Sequence, residues 1–533
     1  MPTVNRGSES RSSLVRALAL AGLALLASLA LAASALGREA WVANYEGQGV
    51  SVIDVATNTV SATIPTGPAA GPYNLAITPD GKTAYVLNYD GASLQPIDVA
   101  TKALLGPPIQ VGEAPIGIAI TPDGKRAVVA STQEKDIFFV DLQARQLIGS
   151  PLEVGSSPQG VAITPDGSRA YVANNDGESV AVVDLATNQL LGLPIPVGDG
   201  PYGLAVTPDG KYVVVASADD KVVTTISTAT NQVVGVPVPA DDPQTVAISP
   251  DGTRAFVTNY EGSSITVLGV PALNLLGSIP IAATEYIALT PDGKRGFASQ
   301  YYGPSVAAFD PFAMQPFGAP VEVGKGAGQV AVVPDQSPSA AYTAPARVRP
   351  GVPATLNAAG SSDSDGTVAG FAWNFGDGKT ASATAPKQKH TFAKPGKFKV
   401  ALTVTDNEGC SAPLVFTGQT AYCSGSPGAT VTKTVKVAYP TTKLKCPASA
   451  KPGGCKFSLQ AVAWKGKGKK RTLKPQSAVA VAKVKAGKSK DLALKPRKAF
   501  AKKLAGAKKI LVREKRTIAG ETRTRVTKLK IVG

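Results

Sequence analysis

Residues 73–88 read YNLAITPDGKTAYVLN: a short apolar run, Leu75 to Thr78, a Pro79-Asp80-Gly81 turn, and a second run, Thr83 to Asn88. Proline fixes φ at the first corner and glycine accepts a left-handed conformation at the second, so the two runs fold back as a hairpin. Tyr89-Asp90-Gly91 turns the chain again into Ser93 to Val99, and Ala100-Thr101-Lys102 leads to Leu104 to Val111, whose Pro107 and Pro108 suit an edge strand. This four-strand unit repeats. Pro-Asp-Gly returns with Asp123, Asp166, Asp209, Asp251 and Asp292 at spacings of 43, 43, 43, 42 and 41, and a worn copy, Val333-Pro334-Asp335-Gln336, lies 43 further on. A period of 40 to 45 residues built from short strands is that of β-propeller blades, seven in this chain.

The first segment lacks an inner strand. It begins at Glu39 with a second-type strand (Ala40 to Asn44), followed by Val50 to Val55 and Thr59 to Pro65, while Gln329 to Val333 is an inner strand with nothing after it. The two ends are expected to pair into one composite blade, closing the ring and leaving no free sheet edge.

The phrases Trp41-Val42-Ala43-Asn44-Tyr45, Tyr171-Val172-Ala173-Asn174-Asn175 and Phe256-Val257-Thr258-Asn259-Tyr260 make residues 39–335 resemble the YVTN-type seven-bladed propeller repeats of bacterial and archaeal surface proteins. That resemblance implies the fold and little chemistry. After a linker at Ser337 to Ala341, Gly360-Ser361-Ser362-Asp363-Ser364-Asp365-Gly366 and Trp373-Asn374-Phe375-Gly376-Asp377-Gly378 resemble a PKD domain, an immunoglobulin-like sandwich, over 336–439. The resemblance implies a tryptophan packed between sheets and a tight Gly-Asp-Gly turn. Asn374 stands where the family has an acidic residue, and Glu408 to Ser426 looks inserted. Asp363 and Asp365 read as turn residues rather than a calcium loop, since no Glu stands at the twelfth position. Residues 440–533 alternate apolar and basic positions and are expected to form a third, small β domain, with one helix-compatible piece at Lys498 to Lys509. The fold class is therefore all-β.

Residues 1–35 read as an export signal: Arg6, Arg11 and Arg16 precede an apolar run from Ala17 to Ala35 that ends in the small-x-small pattern Ala33-Ser34-Ala35. Cleavage is expected after Ala35, with an uncleaved anchor the alternative, and either places the remainder outside the cell. Four cysteines, all beyond residue 400, fit an oxidising exterior as two local disulfides, Cys410 with Cys423 and Cys446 with Cys455. Their spacing is not that of a zinc site.

Charge is segregated. Residues 39–335 carry 13 Lys+Arg against 29 Asp+Glu, net −16, and residues 440–533 carry 28 against 3, net +25. The basic end has few aromatics and no nucleic-acid motif, so its expected partner is an anionic envelope polymer held through charge. Docking of the acidic ring on the basic end within one molecule is the rival.

Repeats on one plan are most informative where they differ. Seven residues before each repeat's Asp stand Tyr73, Ile116, Gln159, Tyr202, Gln244, Glu285 and Gly328, at the start of the inner strand. Of these Tyr73, Gln159, Tyr202, Gln244 and Glu285 are the candidate ligand-binding residues at one mouth of the channel. Ten residues after the Asp come Asp90, Asp176, Asp219 and Glu261, with Glu46 equivalent to them, a candidate acidic rim on the same face that also suits plain turn chemistry. The Pro-Asp-Gly aspartates fall on the opposite face and are structural.

The single His, His390, lies outside the propeller, and residues 39–335 hold no Cys, which removes His-dependent propeller chemistry and haem ligation. No metal site or cofactor is expected. The sequence points to a secreted, monomeric, non-enzymatic surface protein that binds a protein or glycan on its propeller. An exported hydrolase using carboxylates alone is the alternative.

Overall fold

A computed structural model describes residues 38–407 apart from residues 69, 301, 302 and 347, and beyond them strands and short stretches as far as residue 530. The export segment lies outside the described residues, among which no helix is long and apolar enough to cross a membrane. The chain forms two compact units, one holding the propeller and the other the sandwich and the basic strands.

Seven sheets of four or five strands make up the propeller. The inner strands run Pro72–Ile77, Pro115–Ile120, Pro158–Ile163, Pro201–Val206, Pro243–Ile248, Thr284–Leu289 and Ala327–Val332, each packed beside the next around a closed ring. The composite blade forms as expected: Ala40 pairs with Val332, Trp41 with Ala331 and Val42 with Val330, antiparallel.

Every sheet is covered on both faces by its neighbours, so its middle strands read as continuous apolar runs. In the third blade Ile118, Ile120, Val129 and Val140 pack toward the second, while Ala119, Val128, Ala130 and Phe139 pack toward the fourth. This is strand alternation put to use on both sides. Burial of one such valine or isoleucine stabilises by about 1.5–3 kcal/mol. Polar staples cross the same seams. Arg126, Arg169, Arg254 and Arg295 occupy one repeat position, and each sends Nη1 to a carbonyl of the following blade: Leu185 at 2.7 Å, Thr228 at 2.7 Å, Pro311 at 3.0 Å and Val55 at 2.9 Å. The last crosses the closure.

Each Pro-Asp-Gly aspartate caps its own hairpin. Asp80 Oδ1 accepts from Thr78 Oγ1 at 2.7 Å and from the Lys82 amide at 3.1 Å, and the pattern recurs at Asp123, Asp166, Asp209, Asp251 and Asp292. In the worn copy Val333 replaces the hydroxyl donor, and buried Asp335 takes the Arg38 guanidinium instead, with Arg38 Nη1 also on the Val333 carbonyl at 2.8 Å.

Two local expectations need correction. The inner strand starts at Pro72, earlier than Leu75, because Pro72 already pairs with Asn88 ahead of a register shift before Asn74. The outer strand expected over Leu104 to Val111 is reduced to Ile109–Gln110 with an isolated bridge at Leu104, since Gly106, Pro107 and Pro108 cannot sustain a ladder.

In the sandwich Trp373 is buried, edge-on to Tyr342 at 5.1 Å and stacked with Phe375 at 6.3 Å between ring centres. Gly376 and Gly378 both take positive φ, and a Cβ on Gly376 would stand 2.4 Å from the Lys399 carbonyl oxygen. Asn374 Oδ1 accepts from the Gly376 amide at 3.0 Å, so the exchanged residue still supplies the turn's acceptor. His390 bonds Asp377 at 2.9 Å and stacks on Phe375. Asp363 and Asp365 lie in the loop before these strands, and burial together with the neighbouring Asp365 and Asp406 pushes the Asp363 carboxyl up to about 6.

The basic end forms strands Thr441–Lys445, Cys455–Lys465, Thr472–Pro475, Ala480–Val484, Ser489–Ala493, Lys509–Ile518 and Glu521–Lys530, the last two paired along their length. Lys509 opens a strand, and residues 498–508 of the helix-compatible piece lie outside the described residues. Cys446 is buried, whereas Cys410, Cys423 and the Cys455 side chain, and with them both expected pairings, lie outside the described residues.

Candidate functional site

Tyr73, Ile116, Gln159, Tyr202, Gln244, Glu285 and Gly328 are each the second residue of an inner strand, so the ring brings all seven to one end of the channel. The strands approach closely there. A Cβ on Gly117, Gly160, Gly203 or Gly328 would stand 1.9 to 2.6 Å from a carbonyl oxygen of the following blade, at Gln159, Tyr202, Gln244 and Tyr73 respectively. Glycine there lets the backbones close the ring; Gly117, Gly160 and Gly203 each follow a ring position whose side chain is left to fill the axis, whereas Gly328 is itself a ring position without a side chain.

They fill it with a hydrogen-bonded floor. Tyr73 Oη donates to Glu285 Oε1 at 3.1 Å, Tyr202 Oη lies 3.4 Å from the same oxygen, and the two phenols stand 3.3 Å apart. Tyr286 reaches Tyr202 Oη at 2.9 Å. Around this core the rings pack edge to face: Tyr73 meets Tyr45 at 6.0 Å and Tyr286 at 5.9 Å, and lies tilted against Tyr89 at 5.8 Å. Glu285 is 5% exposed. Burial pushes its carboxyl up to about 7, offset in part by the two phenol donors, which favour the ionised form. Burial and the neighbouring Glu285 drive the Tyr202 hydroxyl upward, and burial does the same to Tyr73 and Tyr286.

Beside the floor is a cavity of about 30 Å³, lined by Asn74, Gln159, Tyr202, Thr245, Tyr286 and Gln329 among others. It is large enough for a water. Asn74 Oδ1 and Gln159 Oε1 are buried and accept no hydrogen bond among the described residues. Gln244 is held sideways, its Nε2 3.3 Å from Asp242 Oδ1.

The rim residues Glu46, Asp90, Asp176, Asp219 and Glu261 occupy exposed turns on this face. Asp90 accepts from Tyr45 Oη at 3.1 Å, which links rim to floor, whereas the other four make no side-chain bond to it among the described residues. Sequence reasoning missed Tyr286, Tyr45 and Asn74. Tyr286 and Asn74 sit at the step where three other repeats carry Gly117, Gly160 and Gly203, a departure visible in the sequence. Two larger grooves of about 510 and 470 Å³ open on the opposite face between blades, lined by the repeated turns around Asp80, Asp123, Asp166 and Asp209. What they present is common to the ring.

Residues 335–417 match the model of the PKD domain family. Over 89 residues the chain is 34% identical to a microbial collagenase of Vibrio alginolyticus, 17% of this chain and 11% of that protein. Over 51 residues it is 47% identical to the pre-pro-metalloprotease PrtV of Vibrio cholerae, 10% of this chain and 5% of that protein. The chain thus spans about a tenth or less of the length of these relatives. A solved protein of unknown function from Desulfotomaculum acetoxidans superposes with TM-score 0.50 and 18% identity, covering 56% of this chain and 99% of that one, which shows a shared fold. A periplasmic gluconolactonase of Pseudomonas aeruginosa aligns at TM-score 0.48 and 17% identity over 56% of this chain and 99% of its own.

Proposed function

We propose that this chain is an exported surface protein of YVTN type whose propeller mouth recognises a ligand, whose PKD sandwich acts as spacer, and whose basic end attaches to an anionic envelope polymer. The observation that carries the recognition role is the floor: positions at which the repeats differ meet at the axis in one bonded set of phenols and a carboxyl, beside a cavity lined by amides. Partly exposed aromatic rings with a few fixed polar groups are what small-ligand and side-chain recognition require. The export segment and the two disulfides belong to the same reading, as does action as a monomer.

A carboxyl held near 7 is also suited to general-acid work, so the hydrolase reading has one specific support in Glu285. It needs a second carboxylate about 5–9.5 Å away, and the groups bonded to Glu285 among the described residues are phenols.

The test is a glycan and peptide array probed with the intact chain and with Tyr202→Phe. Ligand capture that weakens in the variant supports the mouth. Capture unchanged by it, or turnover of a captured glycan that vanishes in Glu285→Gln, contradicts the binding reading. For attachment, the intact chain on anionic wall material is expected to lose on the order of a thousandfold in affinity between about 50 and 200 mM salt. A chain ending at residue 439 is expected not to bind, and salt-indifferent binding contradicts the role.

A further inference from the structure

The turns around the mouth are charged in one sense. Besides the five rim carboxylates they carry Glu113, Glu134, Glu178, Asp199, Asp220, Asp241 and Asp242, against Lys135, Lys221 and Lys325, a large acidic excess. Such a face focuses cations toward the channel. At its centre the unmet groups are all acceptors: Gln159 Oε1 and Asn74 Oδ1, on side chains 8% and 4% exposed, accept nothing among the described residues. Glu285 has no cationic partner among them either, only phenols. Buried acceptors without donors are costly; both amides line the cavity of about 30 Å³ together with Tyr202 and Tyr286, and Glu285 lies on the floor beside it, 3.4 Å from the Tyr202 hydroxyl.

We infer that the mouth takes a primary ammonium group, as carried by a lysine side chain, with the apolar stem over the Tyr73 and Tyr202 rings and the charge directed to Glu285, Gln159 and Asn74. The inference rests on the mouth being the recognition site and names its ligand class. A compact ammonium offers three donors and fits a space of water size, which a planar guanidinium does not. Aromatic faces add attraction for a cation. The titratable groups facing Glu285 are Tyr73, Tyr202 and Tyr286, phenols that stay protonated between pH 6 and 8. A cationic ligand favours ionised Glu285, so binding strengthens as pH rises through about 7.

The experiment titrates the intact chain with the blocked pentapeptide Gly-Gly-Lys-Gly-Gly and its norleucine, acetyl-lysine and arginine counterparts. The lysine peptide is expected to bind at least tenfold tighter than the other three, to tighten about tenfold from pH 6 to pH 8 as the fraction of ionised Glu285 rises, and to lose about tenfold in Glu285→Gln at pH 8. Equal binding of the norleucine or arginine peptide, no detectable binding of the lysine peptide, or indifference to Glu285→Gln overturns the inference. If instead a neutral glycan is captured and lost in Tyr202→Phe, the ligand class falls while the mouth stands as the site. If no capture depends on Tyr202, both fall.

Discussion

The two faces of the propeller are built from the same repeats and use them oppositely. On one face the Thr/Ser-Pro-Asp-Gly turn does the same work in six copies, hydroxyl and amide on one carboxylate oxygen, as with Thr121 to Asp123 at 2.6 Å and Thr164 to Asp166 at 2.6 Å. On the other, equivalent positions carry Tyr73, Gln159, Tyr202 and Glu285, of which Tyr73, Tyr202 and Glu285 meet across the axis and Gln159 lines the cavity beside them. Uniformity specifies the ring. Departure from uniformity specifies what it holds, and substitutions on each face separate the two roles.

The largest effect is expected from the closure that both faces depend on. A chain ending after Pro320 loses Ala327–Val332, leaves Glu39–Asn44 as a bare edge, and is expected to show no cooperative propeller melting. A chain ending after Ser337 keeps that strand and is expected to melt as the intact protein does. Equal melting of the two would remove the ring from the account.

Next comes the floor. Glu285 has a folded value near 7 against an ordinary 4.5, so the folded state binds more protons over that interval and stability falls as pH rises through it. Glu285→Gln is therefore expected to be more stable than wild type at pH 8, by up to roughly 3 kcal/mol, and to gain nothing at pH 4. Thermal melting at the two values checks this, and a variant destabilised at pH 8 would contradict it.

A single uniform turn costs less. Asp166→Ala removes an acceptor for Thr164 Oγ1 at 2.6 Å and the Ser168 amide at 3.0 Å, and is expected to lower stability by about 1–2 kcal/mol while ligand capture stays unchanged. The smallest stability change belongs to the rim. Glu46→Gln, Asp90→Asn, Asp176→Asn, Asp219→Asn and Glu261→Gln are each expected to shift stability by no more than about 0.5 kcal/mol, while together they slow capture of a basic ligand. A rim whose removal leaves that rate unchanged is turn chemistry alone.

The fold was legible because a period of 43 residues with Pro-Asp-Gly in each copy leaves few architectures, and even the closing pair could be read from an unmatched strand at each end. The outer strand was misread where Gly106, Pro107 and Pro108 interrupt it, because alternation alone does not report a missing donor. Position along the repeat told which residues reach the mouth. It did not tell that Tyr73 reaches Glu285 and Tyr202 from another blade, since side-chain reach across an axis leaves no trace in spacing. Tyr286 went unnoticed because it follows the ring position rather than occupying it, at the step where Gly117, Gly160 and Gly203 keep the backbones close.

The meeting of the differing residues at the axis is reported by the state of one carboxyl, that of Glu285. Carbon-13 NMR of the Glu285 side chain in the intact protein is expected to give a titration midpoint near 7, moved upward in Tyr73→Phe by loss of a donor to the ionised form. A midpoint near 4.5, unmoved by that change, would mean that Glu285 is solvated at an open rim and that the differing residues of the repeats do not meet.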